Sequence, residues 1–536
     1  MMRARWQHRI PVRIRHYWKL LAICVAVIVT FGVVFSTVRV APLVTSTGSA
    51  NSGRVTQNIV GTTDLFDSGI AHQIDLTFRD DAYQRMLDDY FDQGEKDYVE
   101  ADITIDGVLV QSVGIRLKGN STLSGLTRDG QARTNGRTAP GGAGGFPGGQ
   151  EAGAADEARP EGFPGGAPAG GGMGMSLLKS EEPETLPWLI RFDEFVEGRR
   201  YQGHREIAVR VAGMGGGQSV VNEATALQLL ANAGISAEGY AYTSFTVNSR
   251  PTVARLVVEH PDEEFAADLG GNGVLYKSLS TGEFAYKGDD PTDYTEDFKQ
   301  ITQQGSQDLQ PVIDLMRWVD RSSDAEFAAD LDDHLDVDSF ARYLAAQNLL
   351  VNSDDMAGPG KNYYLWYDLD TRKFSVIGWD YNLALTGNAE QDPNAAVSMG
   401  GFGGARAGQG GQDGGGLQLP EGMELPEGME LPEGMELPEG MEMPGGGGMP
   451  GGLGGHKLKE RFLAADALMP AYQEAYRNLY DQMYAHDAAT KAVDAIAKVL
   501  STVDGRDRQA IDSEVQSLRT LLQQRASYLA GTSIIS

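Results

Sequence analysis

Residues 349–385 read LLVNSDDMAGPGKNYYLWYDLDTRKFSVIGWDYNLAL, and this stretch decides how the rest of the chain is to be read. Four pieces follow one another: the end of an amphipathic helix, a Gly/Pro loop carrying Asp354 and Asp355, two aromatic-rich strands, and Asp380 where the second strand stops. Tyr363 to Tyr367 and Lys373 to Trp379 are β-branched and aromatic runs, and Asp368 to Asp370 with Thr371 have the composition of a turn between them. The pattern predicts a hairpin with Asp354 and Asn362 before it and Asp380 just after it.

Phosphoryl transfer needs groups in that order. One carboxylate on a loop takes or orients the hydroxyl proton, an Asn a few residues on meets a metal, and a carboxylate beyond a hairpin carries the metal that bridges the phosphates. Mg²⁺ keeps much of its water and takes few protein oxygens, so two Asp and an Asn suffice. The competing reading is that Asp and Asn in a loop ending Gly358-Pro359-Gly360 only form turns and caps.

Taken together, VNSDDMAGPGKNYYLWYD and IGWDYNLAL closely resemble the signature of the CotH family, the spore-coat-type kinases with an atypical protein-kinase-like fold. The resemblance runs from about Phe66 to about Tyr480. Its other landmarks are GIRLKGNST (Gly114 to Thr122), IRFDEFVEGRRYQGHREI (Ile190 to Ile207) and the run from Val257 to Lys277. It implies an α+β, two-lobed kinase-like fold that binds ATP with Mg²⁺ or Mn²⁺ and phosphorylates Ser or Thr of a cell-surface or coat protein. By the same resemblance Asp354 is the catalytic aspartate, Asp380 the principal metal ligand, and Asn362 and Asn382 complete the metal and phosphate contacts. Asp355, adjacent to Asp354, shares or replaces its role in an alternative reading. The chain departs from protein kinases in three ways: no His-Arg precedes Asp354, WDYN stands where DFG would, and Asp354 to Asn362 spans eight residues rather than five.

The 536 residues include 68 Gly and 22 Pro, concentrated in two blocks, which leaves a folded part nearer 400 residues. Formal net charge is −29. Seven of the 45 Lys+Arg precede residue 45 and no acid precedes Asp64, so the remainder sets 38 basic against 74 acidic residues, a net of −36. Such a body is repelled by phosphate backbones, which argues against nucleic acid as a partner.

Leu20 to Val38 is a 19-residue apolar run preceded by Arg3, Arg5, Arg9, Arg13, Arg15 and Lys19. That length spans a bilayer, and the basic flank keeps residues 1–19 cytoplasmic with the C-terminal body outside the cell. A cleavable signal peptide is the rival reading. Cys24, the only cysteine, lies in this run, so the exported body holds no disulfide.

Residues 39–63 read as a tether and 64–535 as the kinase-like domain, with disordered insertions at about 124–184 and 386–455. The second insertion repeats LPEGME at a period of six from Leu419 to Glu442, a composition that fits an extended acidic loop.

Before the first insertion, Tyr98 to Gly119 predicts an antiparallel pair turning at Asp106-Gly107, with Arg116 and Lys118 on one strand face. In a kinase-like lobe that sheet covers the nucleotide. Lys277, ending a short strand, is the candidate for the ATP phosphates, and Glu259 or Glu223 the carboxylate that holds it in place. AGMGGGQ (212–218) lacks phosphate-loop spacing and reads as a turn. Residues 336–351 predict a helix capped by Asp336 that delivers Asn352 and Asp354 to their loop, with Asn352 bracing it. From His456 on, three helical stretches follow, at roughly 458–484, 488–500 and 506–530.

ATP is scarce outside a cell, so a second class remains: a non-catalytic surface-binding or adhesion protein that retains a relic pocket. A Ca²⁺-stabilised adhesin needs dense Asp-x-Asp loops, whereas Asp368-Leu369-Asp370 and Asp336-Val337-Asp338 stand alone.

Overall fold

A computed structural model describes residues 55–119, 122–133, 178–211, 219–394 and 455–536. The basic tail, the Leu20 to Val38 run, most of the tether, the AGMGGGQ turn, Asn120 and Ser121 of the GNST motif and the Gly-rich centres of both insertions lie outside those residues. Among the described residues no helix is long and apolar enough to cross a membrane.

Among the described residues, sixteen strands run in chain order: β1 (Gln57–Ile59), β2 (Ala71–Phe78), β3 (Val99–Ile105), β4 (Val108–Leu117), β5 (Leu126–Arg128), β6 (Gln131–Ala132), β7 (Leu178–Lys179), β8 (Trp188–Arg191), β9 (Arg199–Tyr201), β10 (Glu206–Val209), β11 (Tyr240–Val247), β12 (Val253–Glu259), β13 (Gly273–Ser278), β14 (Phe298–Gln300), β15 (Tyr363–Asp368) and β16 (Phe374–Gly378). Seven of them close into a barrel in the order β10-β12-β11-β2-β3-β4-β8, completed by antiparallel pairing of β8 with β10. The sequence predicts a covering sheet here; the structure closes it into a barrel. Closure follows from long-range pairing, including the parallel register of β2 with β11, and it leaves no unpaired strand edge. Ile74, Leu76, Ile105, Ile115, Trp188 and Phe245 fill the interior and are fully buried or nearly so.

The β3–β4 turn forms where Asp106-Gly107 predicts it. Both residues have positive φ, 48° and 83°, which a two-residue hairpin of this twist requires and Gly adopts without a Cβ clash. Asp106 is further tied to the His72 ring, with Oδ2 2.7 Å from Nδ1.

β11 and β12 are buried on both faces. Phe245, Val247 and Val257 point into the barrel. Tyr240, Tyr242, Leu256 and Val258 instead pack on the helix Val221–Asn232 and a second, larger core. This core is built from the helices Gln310–Arg321, Val337–Leu349, Met469–Met483, Ala488–Leu500 and Arg508–Ala530. The helix Val337–Leu349 is capped as read, with Asp336 Oδ1 accepting from the Ser339 amide at 2.9 Å. The stretch read as one helix over 458–484 is two, Lys457–Ala464 and Met469–Met483, because Pro470 in the first turn of the second cannot continue the first.

Other boundaries also differ from the sequence reading. The end of the tether is strand β1, paired parallel with β9. The stems of the first insertion form a small sheet, β6-β5-β7. β8 stops at Arg191 because Asp193 turns the chain, its buried carboxylate gathering Arg191, Arg200 and Arg205 within 3.0 Å. The predicted hairpin is present as β15–β16 in a four-stranded sheet ordered β14-β13-β15-β16. Asp368 Oδ1 accepts from the Asp370 and Thr371 amides at 2.8 Å and closes its turn.

Candidate active site

The helix Val337–Leu349 ends in a left-handed residue, Val351, with φ 47°, and the loop that follows is braced as the sequence suggested. Asn352 donates through Nδ2 to Gln347 Oε1 (2.8 Å) and accepts the Asp354 amide on Oδ1 (3.2 Å). Both Asp354 oxygens are engaged. Oδ1 accepts from the Gly360 amide at 2.5 Å and Oδ2 from Asn362 Nδ2 at 2.9 Å. The loop can close this tightly because residue 360 is glycine: a Cβ there would lie 2.5 Å from Asp354 Oδ2 and 2.8 Å from Asn362 Nδ2. Burial, reinforced by the Asp380 and Asp355 charges, pushes the Asp354 carboxyl up to about 6 against the two hydrogen bonds.

Asp355 points elsewhere. It forms a buried ion pair with Lys459, which lies just beyond the second insertion, and accepts the Ala357 amide at 2.8 Å. Its place is in the packing of the loop.

Asp380 follows β16 in a left-handed conformation, φ 59° and ψ 67°. Its amide donates to Glu238 Oε1 at 2.9 Å, and its Oδ1 lies 2.9 Å from Arg210 Nη2. The same nitrogen is 2.7 Å from Oε1 of Glu223, whose side chain is fully buried in the first turn of the helix Val221–Asn232. Asn222 of that helix donates to the carbonyls of Asn382 (2.8 Å) and Ala384 (3.0 Å), so one helix turn fixes both sides of the segment after Asp380. Burial alone would raise Asp380, but Arg210, with Lys118 and Lys277 behind it, holds the carboxyl below its ordinary value.

Three cations surround the Trp379 ring. Lys277 Nζ, Lys118 Nζ and Arg210 Cζ stand 4.7, 5.3 and 5.5 Å from its centroid. Among the described residues neither lysine has a carboxylate within ion-pair distance. Burial and mutual repulsion bring Lys118 down to about 7. Burial, with Lys299 adding to it and Asp380 opposing it, brings Lys277 down to about 8.

The structure thus brings Lys118, Lys277, Glu223 and Asp380 together, with Asp354 near enough to feel the Asp380 charge. The pairings differ from those read in the sequence. Glu223 holds Arg210, not Lys277. Glu259 receives the Gly239 amide at 3.0 Å and faces His204 at 3.4 Å; it is not the partner of Lys277. Arg116 lies over the Tyr98 ring, 5.2 Å from its centroid. Two residues of the site were missed. Arg210 interrupts the apolar run Ile207 to Val211, and a charge inside such a strand needs a buried partner; that was the available signal. Glu238, in the connector before β11, carried none. Among the described residues no group of three or more His, Cys, Asp or Glu is arranged to hold a metal, so a cation here would rest on Asp380 and the Asn362 and Asn382 amides. Asn382 Oδ1 is buried and accepts no hydrogen bond among the described residues.

A loop carboxylate, a hairpin and a second carboxylate beside clustered cations are features of a kinase-like protein. The sequence profile of the CotH family, described as CotH kinase protein, matches residues 174–529, and the chain belongs to that family. The matched region begins after β1–β6, so Arg116 and Lys118 lie before it and the resemblance at Phe66 is not part of the match. Comparison with curated proteins returns no match. Among solved structures the chain is similar to the Helicobacter pylori proinflammatory kinase CtkA, at 10% identity over 60% of this chain and 86% of that one, with a TM-score of 0.23.

Proposed function

We propose that this protein is a membrane-anchored, exported kinase of two-lobed form that transfers the γ-phosphoryl group of ATP to Ser or Thr hydroxyls of a cell-surface or coat protein. The observation that carries the reading is the pairing of a buried, Asn-held Asp354 with an Asp380 set among Lys118, Arg210 and Lys277. Two half-buried lysines without carboxylate partners among the described residues suit a polyanion, which would restore their charge. The residues also suit a divalent ion: Asp380 and the unpartnered Asn382 oxygen would hold it with Asn362, and the ion would neutralise the phosphates.

In this reading Lys118 and Lys277 bind the phosphates. Arg210 keeps Asp380 ionised and in place. Asp354 orients the acceptor hydroxyl and takes its proton, while Asn362 fixes the carboxylate toward it. The Leu20 to Val38 run and its basic flank support the anchor and outward orientation.

The full chain with γ-labelled ATP and Mg²⁺ or Mn²⁺, beside Asp354→Ala and Asp380→Asn, tests this. Label on the chain or on a Ser/Thr-rich acceptor, absent in both variants, is the expected result. Absence of both label and nucleotide binding would overturn it and leave the surface-binding protein as the better account.

A further inference from the structure

Asp380 is held from two directions by buried groups outside its own segment, and only one of them touches its carboxylate. Arg210 pairs with Oδ1. Glu238, 3% exposed, instead accepts the Asp380 backbone N–H on Oε1 at 2.9 Å. That amide belongs to a non-glycine residue in the left-handed region, a conformation that persists only where the surroundings fix it. If Asp380 relaxed to an extended conformation, its side chain would leave the cluster it shares with Arg210, Lys118 and Lys277. Strand pairing of β16 ends at Gly378, so no ladder hydrogen bond of the β15–β16 hairpin reaches Asp380.

We infer that Glu238 is the positioning residue for Asp380: its carboxylate oxygen fixes the residue's backbone in the left-handed turn that aims the Asp380 carboxylate into the site. This rests on the phosphoryl-transfer reading for its catalytic consequence, though not for its geometry. Glu238 touches neither substrate nor metal in this account. What the site requires of it is an acceptor oxygen at one point, not a charge.

That distinction sets the experiment. Full-length wild type, Glu238→Gln and Glu238→Ala are compared in three readouts: hydrogen exchange at the Asp380 amide, Mg²⁺-dependent affinity for ATP, and kcat against KM for label transfer. Glutamine keeps an acceptor oxygen in place and should stay within about threefold of wild type in all three. Alanine should speed exchange at Asp380 at least tenfold, weaken Mg²⁺-dependent ATP affinity at least tenfold and lower kcat at least tenfold, while exchange in the barrel strands is unchanged. Unchanged exchange at Asp380 in Glu238→Ala, or a glutamine variant as impaired as alanine, overturns the inference. A wild-type chain that transfers no label overturns the proposed reaction instead, and the exchange and Mg²⁺-dependence arms then still decide the role of Glu238.

Discussion

Arg210 and Asp380 form an ion pair, Nη2 to Oδ1 at 2.9 Å, in which the arginine is shared with a fully buried glutamate from another element. Arg210 is thus the link between the barrel strand β10, the helix Val221–Asn232 and the end of the β15–β16 hairpin. An arginine suits this position because its guanidinium stays charged when buried, whereas burial draws the neighbouring lysines toward neutrality.

Arg210→Met should therefore destabilise the fold by about 3 kcal/mol or more, since it leaves Glu223 as an uncompensated buried charge. The double variant Arg210→Met/Glu223→Gln should recover a large part of that loss. Urea unfolding of the four chains of the cycle measures it; simple additivity of the two substitutions would contradict the pairing.

Asp354 and Asp355 are adjacent in sequence and opposite in expected effect. Asp354→Asn should lower transfer by about 10²-fold or more with little loss of melting temperature. Asp355→Asn should lower melting temperature through its lost pairing with Lys459 while costing transfer far less. Kinetics and thermal melts on the two variants separate these outcomes.

The acid limb of the rate profile should follow Asp354. A proton acceptor must be ionised, and this carboxyl is raised to about 6, so kcat should fall about tenfold per pH unit below that value. The limb is measured with saturating ATP and metal. An unchanged profile in the slow Asp354→Asn variant would assign the limb to another group.

Gly360→Ala introduces a Cβ 2.5 Å from Asp354 Oδ2. The loop must open to admit it, which breaks the Gly360 amide bond to Asp354 and the contact with Asn362. Transfer should fall at least tenfold while the far-ultraviolet circular dichroism is unchanged.

Stability should fall as pH rises through the range set by Glu259. Burial raises its carboxyl from 4.5 to about 8, so the folded state holds a proton that the unfolded chain releases. Its contribution is fully present below about 4.5 and is lost as pH climbs through about 8. Melting temperature measured from pH 5 to pH 9 should fall more steeply in wild type than in Glu259→Gln, which cannot titrate.

Sequence alone determined the local elements of this protein. The β15–β16 hairpin, the Asp106-Gly107 turn and the Asp336-capped helix follow from period, turn chemistry and capping, all of which act within a few residues. The order Asp354, Asn362, Asp380 around that hairpin was legible for the same reason, and it carried the family. Tertiary structure alone decided who meets whom. The barrel closes through β2 on β11 and β8 on β10, contacts between segments far apart in the chain. Arg210 rather than Lys277 takes Glu223, and Glu238 takes the Asp380 amide, because burial makes each of these groups find its partner wherever the fold brings one within about 3 Å. Composition can mark a charge that needs a partner, as at Arg210. It cannot say which carboxylate will be there.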